Sequence, residues 1–172
     1  MAKEKVTMLC PEEIPANTRY SVALKHLAQS DDSVAKLSFQ ELGDEGCRHF
    51  YKILSASQRV WEFVDISCNN IGTFGTRWIS RSLASGSIRN LDISANAIGD
   101  EGCKILAEAL VGNRTLRNLD LHACNIRSPG AISLAQALFQ NEMLQYLNLR
   151  ANYVCDEGAS VLARLVRANT SL

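Results

Sequence analysis

The chain repeats itself. The segment NAIGDEGCKILAEAL, Asn96 to Leu110, returns as NNIGTFGTRWISRSL from Asn69, CNIRSPGAISLAQAL from Cys124 and NYVCDEGASVLARLV from Asn152. A degenerate copy, LGDEGCRHFYKIL, starts at Leu42, and a short apolar stretch (LSF, VDI, LDI, LDL, LNL) precedes each copy. Units counted from Val34, Trp61, Ile88, Leu116 and Leu144 are 27, 27, 28, 28 and 28 residues long. A glycine falls in phase in all of them (Gly46, Gly75, Gly102, Gly130, Gly158), and so does an apolar position further on (Phe50, Ile79, Leu106, Leu134, Leu162). Units this short cannot bury a core alone. They must stack on their neighbours.

Each unit changes its hydrophobic period midway. In IRNLDISAN, Leu91 and Ile93 alternate with polar residues, the pattern of a half-buried strand. From Gly102 onward, Cys103, Leu106, Ala107 and Leu110 form one stripe at helical spacing. Stacked copies then give an α/β solenoid, with parallel strands on one side and helices on the other.

The pattern L-x-x-L-x-L-x-x-N/C-x-I, followed by G-a-x-x-L-a-x-a-L, resembles the ribonuclease-inhibitor-like class of leucine-rich repeats. It runs from Val34 to Ser171, about four-fifths of the chain. The resemblance implies a horseshoe with strands on the concave face and α-helices on the convex face. Asn69, Asn96, Cys124 and Asn152 occupy the position where the chain leaves the strand. An inward carboxamide there can bond turn amides that lack a ladder partner. The first copy departs from the pattern: FQELG is two residues shorter and has no asparagine, which marks a modified terminal repeat.

Several functions are disfavoured. Eighteen basic and 18 acidic side chains cancel, so no net charge draws the chain to nucleic acid or anionic lipid. The start, MAKEKVTMLC, with Lys3 and Lys5 around Glu4, has no secretory core, and no apolar run is long enough to span a bilayer. A cytoplasmic protein is expected, with cytoskeletal or ciliary association compatible. GDEG is not a phosphate loop, because no lysine-serine or lysine-threonine follows it. Its glycine instead fits a tight helix entry where a side chain would clash, and Asp44/Glu45, Asp100/Glu101 and Asp156/Glu157 suit a helix N-terminus. The six cysteines form no C-x-x-C pair and read as reduced thiols. Cys68 and Cys124 are expected in one interior column, and Cys47 and Cys103 in a helix column; both pairs are too far apart for a disulfide. His26, His49 and His122 join no catalytic pattern. No catalytic residue, cofactor or metal site is expected.

Binding should use strand side chains that point away from the core. The register predicts three columns: Lys36, Phe63, Asn90, Asn118, Tyr146; then Ser38, Asp65, Asp92, Asp120, Asn148; then Gln40, Ser67, Ser94, His122, Arg150. Asp65, Asp92 and Asp120 are like charges on adjacent strands, mildly unfavourable, with Arg89 and Arg117 near the strand starts expected to offset part of this. Two readings stay open: an aspartate ordinary in such strands, or an acidic stripe contacting a partner's basic or polar groups. The candidate binding residues are Asp65, Asp92, Asp120, Asn118, Asn148, Tyr146, His122 and Arg150.

At the ends, residues 1–33 read as a capping segment containing one helix, Thr18 to Gln29, interrupted upstream by Pro11 and Pro15. Residues 34–172 hold the five repeats with no C-terminal cap. A fragment of a longer array is expected; a complete chain would instead favour a homodimer through the open C-terminal end. Function follows as a non-enzymatic adaptor or scaffold binding a partner protein on the concave face. The family suggests alternatives: a small-GTPase regulator resembling the Ran GTPase-activating proteins, or a sensor fragment of a nucleotide-binding immune receptor. Nuclease inhibition follows from the class name alone.

Overall fold

In the described residues, 14–57 and 59–172, the computed structural model shows a strict alternation of helix and strand. Lys3, Lys5, Cys10 and Pro11 lie outside them. The order is α1 (Tyr20–Gln29), β1 (Val34–Lys36), α2 (Gly43–Ser57), β2 (Phe63–Asp65), α3 (Thr73–Ala84) and β3 (Asn90–Asp92). It continues with α4 (Gly99–Gly112), β4 (Asn118–Asp120), α5 (Ser128–Leu138), β5 (Tyr146–Asn148) and α6 (Asp156–Ala168). The five strands form one parallel sheet in chain order.

Alternation decides which side chains go in. The middle residues Ala35, Val64, Leu91 and Leu119 are buried, as are Leu37, Ile66, Ile93 and Leu121 two positions on. Against them pack the helix stripes, for example Cys103, Leu106, Ala107 and Leu110. Strands sit about 4.8 Å apart while helices need roughly 8–10 Å, so the stack must curve with the sheet inside. Tyr20, Leu24 and Leu27 of α1 join the same core, with the Tyr20 ring edge-on to His49 at 6.2 Å.

The first strand departs from the expected register by two residues. Val34 pairs with Phe63 and Lys36 with Asp65, so Lys36, not Ser38, begins the central column. Ser38 therefore belongs beside Ser67, and Gln40 takes the position of Asn69. A shift of two keeps every side chain on its own face, so alternation is blind to it. The glycines also lie inside the first helical turn rather than at its entry, since α4 begins at Gly99.

Turn amides are satisfied across repeats. Asn69 Oδ1 accepts the amides of Gln40 and Leu42 at 2.9 and 3.2 Å. Asn96 Oδ1 does the same for Asn69 and Ile71, and Asn152 Oδ1 for Cys124 and Ile126. Their NH2 groups donate to strand-end carbonyls, such as Asn96 Nδ2 to Ile93 O at 2.8 Å. Cys124 substitutes a single thiol, which donates to Ile93 O at 3.4 Å.

A second asparagine row escaped the sequence reading. Asn113 and Asn141, buried at the helix exits, accept the amides two and three residues on and donate back to Leu83 O and Leu110 O. Asn169 repeats the arrangement on Leu138 O. The signal was available as N-x-x-L at 113–116, 141–144 and 169–172.

Candidate protein-binding face

The three-residue strands turn alternate side chains outward over an uncovered sheet. Phe63, Asn90, Asn118 and Tyr146 lie in one row, with Val34 at its start in place of Lys36. Lys36, Asp65, Asp92, Asp120 and Asn148 form the next row. Asn118 Nδ2 donates to Asn90 Oδ1, and Asn90 Nδ2 to Glu62 O, so the amides are linked crosswise over the strands. Phe63 and Tyr146 remain exposed at either side of a hollow of about 400 Å³ floored by Leu91, Asp92 and Asp120.

The aspartates have a structural task. Asp65 Oδ1 accepts the Ser67 amide at 3.0 Å and its hydroxyl at 2.7 Å. Asp92 Oδ1 takes the Ser94 amide at 2.9 Å, and Asp120 Oδ1 the His122 amide at 2.8 Å. Each closes a turn at the strand end, as aspartate does two residues upstream of a free N–H. Asn148 does the same to Arg150 at 3.0 Å and also donates to Asp120 Oδ2 at 2.9 Å. The like-charge row is thus tied down by backbone donors rather than by the arginines. Arg89 instead pairs with Glu62 at 2.7 Å, and Arg117 reaches Met143 O at 3.3 Å.

His122 and Arg150 follow the strands and lie just past the aspartate row, His122 half-buried and Arg150 exposed. All eight candidate residues therefore lie along one continuous face, together with Phe63 and Asn90 at the hollow.

The thiols are free at every described position. Burial pushes Cys47 and Cys103 far up, and Cys124 up to about 11. Cys68 is a correction: it does not share the Cys124 column. It is half-exposed, with φ 54°, in the row of Ala95 and Ala123, while Asn69 holds the inward position. Cys155 is exposed. Among the described residues, no histidine, cysteine and carboxylate cluster could hold a metal ion, and no helix is long and apolar enough to cross a membrane.

The sequence profile of the family described as Leucine Rich repeat matches residues 87–107, 112–135 and 140–163. These units are leucine-rich repeats. Among solved structures, the leucine-rich repeat fold here is similar to that titled Leiomodin-1 Actin-Binding Site 2, with TM-score 0.74, 18% identity, and 90% of this chain against 91% of that one. It is also similar to a Caenorhabditis elegans tropomodulin C-terminal domain, with TM-score 0.64, 12% identity, and coverage of 88% and 93%. In sequence, Protein CARMIL of Dictyostelium discoideum is 28% identical over 117 residues, 63% of this chain. The chain spans only 10% of that relative's length.

Proposed function

We propose that this chain is a non-enzymatic adaptor of the ribonuclease-inhibitor-like leucine-rich-repeat type that holds a partner protein on its sheet face. One observation carries the reading: an uncovered parallel sheet whose outward rows combine exposed Phe63 and Tyr146 with Asp65, Asp92 and Asp120. Aromatic anchors within a polar surround are what protein interfaces use. Asn118, Asn148, His122 and Arg150 extend the contact. The turn bonds of the aspartates hold their carboxylates in place beforehand, which reduces the freedom lost on association. The helix α1, through Tyr20, Leu24 and Leu27, serves as the cap of the array.

The likeness to a structure named for actin binding makes actin the first partner to test, and a cytoskeletal setting the natural one. The test is sedimentation and fluorescence titration with purified actin, wild type beside the Asp92→Lys, Asp120→Lys, Arg150→Glu variant, both checked by circular dichroism. Binding by wild type and its loss in the folded variant supports the reading. Equal binding by both removes the site from the sheet face. No binding by either removes actin as the partner.

A further inference from the structure

The opposite, helical side carries a second and chemically contrasting surface. α3 differs from its neighbours along the solvent-facing rows. Where α2 has Glu45 and α4 has Glu101, α3 has Phe74, which is 69% exposed. Arg77 follows on the next turn, then Trp78 and Arg81; α3 has no acidic residue at all. Arg77 lies over the Phe74 ring at 5.6 Å, and Arg81 over the Trp78 ring at 4.5 Å. Tyr51 of α2 also packs against Trp78, ring centroids 5.5 Å apart.

Two arginines stacked on rings are fixed in direction while their N–H edges stay open to an acceptor. Among the described residues, no carboxylate pairs with either of them. At four residues apart on a helix they lie roughly 6 Å from each other, a spacing that carboxylates one helical turn apart can match. Phe74 supplies an apolar contact at the N-terminal end of the strip, and exposed aromatic and arginine residues together are the composition of binding hot spots.

We propose that this strip of α3 docks an acidic segment of a partner protein. Lys52 on α2 and Lys104 on α4 extend the positive charge to either side, yet the geometry favours a segment over an anionic membrane because carboxylates interrupt that wider surface. Glu45 and Glu101 flank Phe74, and Glu108 stands beside Arg81 on α4, so a flat anionic surface would meet these carboxylates as well. Arg48 on α2 is already paired with Glu45, which leaves Arg77 and Arg81 as the ring-held cations of this side. The strip faces away from the sheet, so both faces can be occupied at once, as a scaffold requires.

The probe is a fluorescein-labelled synthetic amphipathic helix with glutamates one turn apart and a leucine stripe. Its anisotropy is followed with the full chain at low and high salt. Wild type binds, and affinity falls with salt. Arg77→Glu with Arg81→Glu weakens binding about tenfold or more, as charge reversal at paired sites does. Phe74→Ala weakens it several-fold, whereas Arg164→Glu with Arg167→Glu on α6, the same change in charge at a distance from the strip, leaves it unchanged. These side chains are largely exposed, and circular dichroism verifies the fold. Absence of binding by wild type, or equal binding by the reversed variant, overturns the proposal. So does capture by phosphatidylserine-containing vesicles through the same arginines when the peptide itself does not bind.

Discussion

Asp100 and Gly130 fit together across two repeats: Asp100 Oδ1 accepts the Gly130 amide at 3.1 Å and would lie 2.7 Å from a Cβ placed on that glycine. The same oxygen takes the Arg127 amide at 2.7 Å. Asp44 repeats this two junctions earlier, on Gly72 and Gly75, both at 2.8 Å. Each carboxylate belongs to the first turn of its own helix yet caps the helix of the next repeat.

Gly130→Ala should therefore cost about 1–3 kcal/mol, because the methyl must displace a carboxylate already bonded on that spot. Asp100→Ala alone should cost about 1–2 kcal/mol through the lost cap. Combined, the two should cost less than their sum, since the clash and the cap share one oxygen. Urea unfolding of the four members of the cycle measures this; strict additivity would refute it.

Asn96 makes five bonds to backbone, two as acceptor and three as donor. Asn96→Ala should cost about 3 kcal/mol or more, because it strands buried amides and carbonyls. Asn96→Cys should cost clearly less, following the arrangement at Cys124. The readout is the chemical denaturation midpoint, with the ranking Asn, Cys, Ala.

Thiol labelling at pH 8 should follow exposure. In a Cys10→Ser background, Cys155 reacts first and Cys68 next, while Cys47, Cys103 and Cys124 react only on unfolding. A linked effect has a definite sign. Cys124 titrates at about 11 in the fold against 9.0 for a free thiol, so the unfolded chain loses its proton first. The stability this thiol contributes is complete below pH 9.0 and is lost as pH rises through about 11. A Cys124→Ala variant should show a shallower alkaline decline in its unfolding midpoint.

Phe39 adopts φ 58° while 71% exposed. An L side chain in that region costs about 1–2 kcal/mol, and little burial offsets it here. Phe39→Gly should raise stability by about 1 kcal/mol, with Phe39→Ala giving no such gain. Thermal unfolding of the three chains decides it.

What the sequence made legible was whatever recurs at a fixed phase. The glycine column, the inward leucines and the carboxamides and thiol of the asparagine row at 69, 96, 124 and 152 could be read because each unit repeats them; Cys68 was misplaced by one position. The register of β1 was not legible, since Gln40 conceals the asparagine position and a two-residue slip preserves the alternation of Ala35 and Leu37. The aspartates of the sheet face were visible as a row, but their turn bonds to Ser67, Ser94 and His122 depend on backbone direction. Asp44 and Asp100 fit their own helix dipoles equally well in sequence. Only the folded stack shows which amides they reach. The arginine–aromatic strip on α3 stayed hidden because it occurs once.

The turn carboxamides have one more consequence. Each asparagine bonds amides 25 to 29 residues before it, so the acceptor for one turn is encoded in the following unit. Cutting the gene at any phase and copying one whole period keeps every donor beside an acceptor. Copying any other length breaks two seams at once. Such a chain can grow or shrink by whole periods in a single genetic step, and its length is free to change in a way that its phase is not.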